Sequence, residues 1–142
     1  MSYPENLREL RHYLHSKPDL SGGEAATAAF VASCLENQGA DRILTGLGGH
    51  GLAALFRGRS PGPRVLLRAE LDGLPIEETG EISHISKNQG VAHACGHDGH
   101  MAILLGVAAR LASERPARGE VVLLFQPAEE TGQGALEVLS DQ

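Results

Sequence analysis

Val121-Val122-Leu123-Leu124-Phe125, followed by Gln126 and closed by Pro127, is a continuous apolar run of strand length. It lacks the in–out alternation of a strand with one wet face, which predicts a strand buried on both sides. Residues 64–71 repeat the pattern, with Val65, Leu66 and Leu67 in a row, and residues 51–56 form a shorter apolar stretch bounded by glycine. Helical spacing appears between and before these runs. Leu7, Leu10 and Leu14 fall at i, i+3, i+7 and predict a helix over residues 4–16. Thr27, Phe30, Val31, Cys34 and Leu35 predict a second over residues 22–38, opened by a Ser21/Glu24 capping box and stopped near Gly39. Residues 100–113 are apolar nearly all round and predict a buried helix. Residues 72–92 read as a long loop, and a fresh helix starts within residues 134–142. Helices interspersed with buried strands define an α/β fold, an open and mostly buried sheet with helices on both faces, in one domain.

The chain has 142 residues, 42% of them hydrophobic and 21% charged, which is ordinary for a globular protein. Its net charge of −6 and its lack of a basic cluster argue against nucleic acid as a partner. No apolar run approaches bilayer-spanning length, so no membrane partner is expected, and the polar start at residues 1–6 does not read as a signal peptide. Two cysteines give no disulfide framework, and the expected location is the cytoplasm.

The chemistry concentrates in His93-Ala94-Cys95-Gly96-His97-Asp98-Gly99-His100. Thiolate and imidazole suit borderline-soft metals. With Gly96 between them, Cys95 and His97 can reach one site. Asp98 is placed to orient an imidazole, and the start of the following helix favours a thiolate. Cys34 lies on an apolar stripe and reads as core. Gln126-Pro127-Ala128-Glu129-Glu130 leaves the carboxyl end of a buried strand, where open α/β sheets carry their sites. Of its two carboxylates, one can bind a metal while its neighbour handles a proton; a solvated acidic turn is the alternative. In Arg68-Ala69-Glu70-Leu71-Asp72-Gly73-Leu74-Pro75, a site and a structural ion pair involving Arg68 remain open readings.

Together, in this order, the three runs resemble the M20 amidohydrolases, in particular the branch of aminoacylase-like enzymes, hippurate hydrolases and hydrolases of indoleacetic acid–amino acid conjugates. The opening Leu10-Arg11-His12-Tyr13-Leu14-His15, with Pro18-Asp19-Leu20 and Glu24, is similar to that branch's start. The resemblance implies metal ligation by Cys95, His97 and Glu130, general-base catalysis by Glu129, and support of the site by Glu70 and Asp72. Glu70 stands where the branch usually has Asp, which adds one methylene of reach. The resemblance further implies amide hydrolysis of small N-acyl amino acids. It implies two divalent ions per complete site, with zinc, manganese, nickel and cobalt all suited, and frequent homo-oligomers among complete members. By that comparison residues 1–142 form the N-terminal part of the catalytic domain. Further His ligands and a lid or dimerisation domain lie beyond it. Two other expectations stand beside this one: a non-catalytic remnant, and a thiol-based protein using Cys95 as nucleophile.

Overall fold

The computed structural model describes residues 6–141. In chain order it contains α1 (Leu7–His15), α2 (Ala25–Asn37), β1 (Arg42–Leu47), β2 (Gly51–Arg57), β3 (Arg64–Glu70), α3 (His97–Ser113), β4 (Glu120–Gln126) and α4 (Gly134–Ser140). The strands form one open mixed sheet in the order β1-β2-β4-β3. β1 and β2 pair antiparallel, as do β2 and β4, whereas β3 and β4 run parallel. Parallel neighbours need a crossover, and α3 provides it. The consequence is positional: Glu70 and Gln126 lie opposite each other at the carboxyl ends of β3 and β4, so both loops leave from one edge.

The core follows from the alternation of side chains on paired strands. Leu52, Ala54 and Phe56 of β2, Leu123 and Phe125 of β4 and Ala69 of β3 join one cluster with Leu10 and Leu14 of α1, Val31, Cys34 and Leu35 of α2, and Met101, Leu105 and Ala108 of α3. Burying each large side chain of that set stabilises the fold by about 1.5–3 kcal/mol. The Asn6 side chain caps α1 by accepting from the Glu9 N–H at 3.0 Å. At α2 the expected capping box is absent. Asp19 instead accepts from the Thr27 N–H at 3.0 Å and its hydroxyl at 2.7 Å. Ser21 and Glu24 are thereby released to the site described below.

Several expectations are corrected. Val65, Leu66 and Leu67 are exposed rather than buried on both faces, because β3 is the last strand of the sheet and pairs only with β4. The similar run in β4 sits between β2 and β3 and is largely buried. β1 was not foreseen; its short pattern is interrupted by Gly46 at a register shift. α3 begins at His97 rather than at residue 100, and its Ile103 faces outward. Residues 4 and 5 of the first predicted helix, and residue 142 of the last, lie outside the described residues. No helix among the described residues is long and apolar enough to cross a membrane.

Leu66 is 55% exposed on an unpaired edge. Leu66→Lys is therefore expected to change unfolding free energy by no more than about 0.5 kcal/mol while reducing self-association of the chain. Chemical denaturation and sedimentation velocity check both parts; a loss of several kcal/mol would mean that the run is buried after all.

Candidate metal centre

Immediately after β3 the chain turns through Leu71 and Asp72 into a long irregular segment. Leu74 and Ala92 exchange backbone hydrogen bonds of 2.9 and 3.0 Å, closing that segment into a loop. The closure returns residues 93–97 beside the strand end they left. Gly96 makes the last turn into α3 with φ +87°, a left-handed conformation that a side chain would strain. His97 then occupies the first turn of α3. Its Nδ1 donates to the Asp72 carbonyl at 2.8 Å. A carbonyl only accepts, so Nδ1 keeps its proton and Nε2 is the ring nitrogen turned toward the carboxylates.

From β4, the Pro127–Glu130 turn arrives at the same place. Ala128 has φ +48°, an uncommon conformation for a residue with a side chain. Two buried carboxylates hold this turn. Glu24 accepts from the Ala128 N–H at 2.8 Å, and Asp72 accepts from the Glu130 N–H at 3.0 Å. Asp72 also accepts from the Ser21 hydroxyl at 2.7 Å. Burial works against the charge on Asp72. The neighbouring His97 and the hydrogen bonds from Glu130 and Ser21 outweigh it and hold the carboxyl far below the usual carboxylate range.

The side chains expected to converge do so. Cys95, His97 and Glu130 each offer one ligand atom, and the three atoms lie within 4.8 Å of one another. His97 Nε2 is 3.5 Å from Glu129 Oε2 and 3.9 Å from both Glu130 Oε1 and Glu70 Oε2. Glu130 Oε1 is buried without a hydrogen-bond partner. An S, N and O donor set with a stranded carboxylate oxygen fits a divalent ion with bonds of about 2.0–2.3 Å.

The protonation states belong to a centre without its ion. Burial alone would pull His97 down, but its bonds to Asp72 and the charge of Glu70 push it up to about 9. Cys95 corrects the expectation of a favoured thiolate. Its hydrogen bond to Glu130, then burial, then the charges of Glu130, Glu129 and Glu70 push the thiol up, so carboxylates outweigh the helix terminus.

Other residues fall differently. Asp98 does orient an imidazole, but it is His15 of α1, at 2.9 Å from Nδ1; the Arg11 Nε donates to the same oxygen at 2.9 Å. His12, His15 and His84 group together, with the rings of His12 and His84 stacked at 3.7 Å, and they take no part in the Cys95 group. His93 is buried with neither ring nitrogen bonded, and burial pulls it down to about 4. Ser21, Glu24 and His100 were not anticipated at the site. Only His100 left a signal, one helical turn after His97 and so on the same face.

The fold and the centre define an open α/β sheet whose parallel crossover gathers a thiol, imidazoles and carboxylates at the carboxyl ends of two strands. The model of peptidase family M20/M25/M40 matches residues 66–141, more than half of the sequence, and the chain belongs to that family. It is 45% identical over 138 residues to the N-acetyl-L-cysteine deacetylase of Bacillus subtilis, covering 96% of this chain and 33% of the relative. It is 44% identical over 128 residues to the N-acyl-L-amino acid amidohydrolase of Geobacillus stearothermophilus, covering 89% and 34%. The crystal structure of the Bacillus subtilis YXEP protein, described as a dinuclear metal-binding peptidase of the M20 family, superposes with a TM-score of 0.88. Its identity is 40%, and the match covers 94% of this chain and 37% of that one. The chain thus spans about a third of the length of these relatives.

Ligation by both Cys95 and His97 would displace two protons, because the Cys95 thiol is pushed up from its ordinary value and His97 is pushed up to about 9. Each displaced proton makes the apparent affinity rise about tenfold per pH unit below the group's pKa. The expected dependence between about pH 6 and 8 therefore approaches 100-fold per pH unit, read by chelator competition. A flat dependence would mean that neither group ligates.

Proposed function

We propose that this chain forms the N-terminal part of the catalytic domain of a metal-dependent amidohydrolase, acting on N-acyl amino acids or related small amides. The observation that carries the reading is the Cys95, His97 and Glu130 ligand set within 4.8 Å, with Glu129 3.5 Å from the same imidazole. Cys95, His97 and Glu130 are the ligands, and zinc, manganese, nickel and cobalt all suit them. A complete site holds two such ions. Further ligands and a lid or dimerisation domain belong to the same proposal, as do homo-oligomerisation and a cytoplasmic location.

When bound, a divalent ion supplies polarisation of the amide carbonyl and acidification of water. The chain's own residues do the rest. Glu129 takes the proton of the attacking water and returns it to the departing amine. Glu130, next in sequence, is held by its N–H on Asp72, so base and ligand are fixed by one turn. Asp72 also sets the His97 tautomer through its carbonyl. Glu24 keeps the turn in its left-handed shape at Ala128. The products are a carboxylic acid and an amino acid or amine. The rival use of Cys95 as a nucleophile needs a lowered thiol pKa, and the surrounding carboxylates act in the opposite direction.

Glu129→Gln, introduced in the chain extended through the length of its relatives, is expected to lower kcat by about 10²–10⁴-fold with metal content unchanged. Residues 1–142 alone are expected to show no hydrolysis of an N-acyl amino acid above a metal blank. Loss of metal together with activity in Glu129→Gln would contradict the base role. Failure of Cys95→Ala to weaken metal binding would remove the ligand assignment.

A further inference from the structure

We propose that the cavity between residues 57–64 and residues 116–120 binds a small anion carrying phosphoryl groups. It lies at the end of the sheet opposite the metal centre. β4 starts in its wall at Glu120 and ends beside Glu70 at Gln126, so about 20 Å of strand separates the two places.

Three strands set the charges. Arg57 pairs with Glu120, and Glu120 pairs with Arg64. Residues paired across a ladder share a face of the sheet, so two arginines stand on either side of one carboxylate. Arg64 engages Glu120 through its Nε. Arg59 lines the same cavity and makes no ion pair or side-chain hydrogen bond among the described residues. Three arginines against one glutamate call for a ligand with two or more negative charges.

The walls are in place before any ligand arrives. The Gly58 N–H donates to the Gly119 carbonyl at 2.7 Å, the Gly119 N–H to that of Ser60 at 2.8 Å, and the Glu120 N–H to that of Pro63 at 3.0 Å. Gly119 has φ +82°, and a side chain there would collide with the Pro63 carbonyl. Pro61 and Pro63 stiffen the turn, so binding has little backbone left to order. The volume of about 460 Å³ falls within the range of small-ligand sites.

The distribution of charge points to phosphate chemistry. The chain carries a net charge of −6, yet Arg59 also lines an adjoining cavity with Arg110 and Arg115. Five of the ten arginines, and neither lysine, line these two cavities. Arg110 and Arg115 are already paired with Glu114 and Asp41, which directs a ligand to Arg57, Arg59 and Arg64. The sequence has no basic run, because the cluster forms only where strand pairing joins the β2–β3 turn to the α3–β4 loop. Guanidinium forks match the paired oxygens of a phosphoryl group, and ammonium groups do not. The acidic remainder of the chain repels a long polyanion, so the fit is to a compact one.

Calorimetric titration of the metal-free 142-residue chain with pyrophosphate tests this, metal being removed so that the anion is not drawn to an ion. Saturable binding is expected, weakening as salt is raised. Arg59→Ala should weaken it by about tenfold or more. Arg59→Lys keeps the charge but not the fork and should weaken it as well. Lys87→Ala removes a positive charge elsewhere and should leave it unchanged. Arg59 is exposed, so the thermal midpoints of its variants should match the parent's. Tighter binding of adenosine diphosphate than of pyrophosphate assigns the phosphoryl groups to a nucleotide, and equal or weaker binding assigns them to the free anion. Absence of saturable pyrophosphate binding, undiminished affinity in Arg59→Ala, an equal loss in Lys87→Ala, or citrate binding as tightly as pyrophosphate overturns the proposal.

Discussion

One fully buried carboxylate, Asp72, ties together the segments on which everything else depends. Its side chain accepts from Ser21, ahead of α2, and from the backbone of Glu130, after β4. Its carbonyl fixes the tautomer of His97, at the start of α3. Its neighbours continue the ties: the Leu71 N–H donates to Gln126 at 2.9 Å and the Gly73 N–H to Asp19 at 2.8 Å. A buried charge is costly unless it is bonded on all sides. The arrangement that bonds Asp72 Oδ2 to Ser21 and Glu130, and sets Oδ1 3.5 Å from His97 Nδ1, is the one that brings Cys95, His97, Glu129 and Glu130 into reach of each other. Fold stability and site geometry are set by the same hydrogen bonds.

The centre is electrostatically unfinished without metal. Carboxylates crowd one imidazole and one thiol: His97 is pushed up to about 9, and the Cys95 thiol is pushed up from its ordinary value. His97 works in opposite directions in the two states. Without metal, its raised pKa stabilises the folded chain below its ordinary value of 6.5, and that contribution is lost as pH rises through about 9. With metal, the same rise in pH strengthens ligation. An ion ligated by His97 would replace protons as the partner of the carboxylates.

Much of this was legible in the sequence, for identifiable reasons. The run at Val121–Phe125 reads as a buried strand because a central strand has no wet side. The nearly identical run at Val65–Leu67 misleads, because strand order is a tertiary property that local pattern does not encode. The Cys95 and His97 pair is visible as a candidate from residue type and spacing, and Glu129-Glu130 from its place after a strand. The supports are not visible. Ser21 and Glu24 match a capping box well enough that only the structure, with Asp19 doing the capping, shows them turned toward Asp72 and Ala128. Asp98 reads as placed to orient an imidazole, but local sequence does not say which, since its partner His15 is 83 residues away.

The central claim is that the parallel crossover builds a sulfur-containing metal position from Cys95, His97 and Glu130. X-ray absorption at the zinc edge, on the chain loaded with one equivalent of zinc, tests it most directly. The account predicts one sulfur at about 2.3 Å together with nitrogen and oxygen neighbours at about 2.0–2.2 Å, and loss of the sulfur shell in Cys95→Ser. A zinc shell of nitrogen and oxygen alone in the parent chain would contradict it.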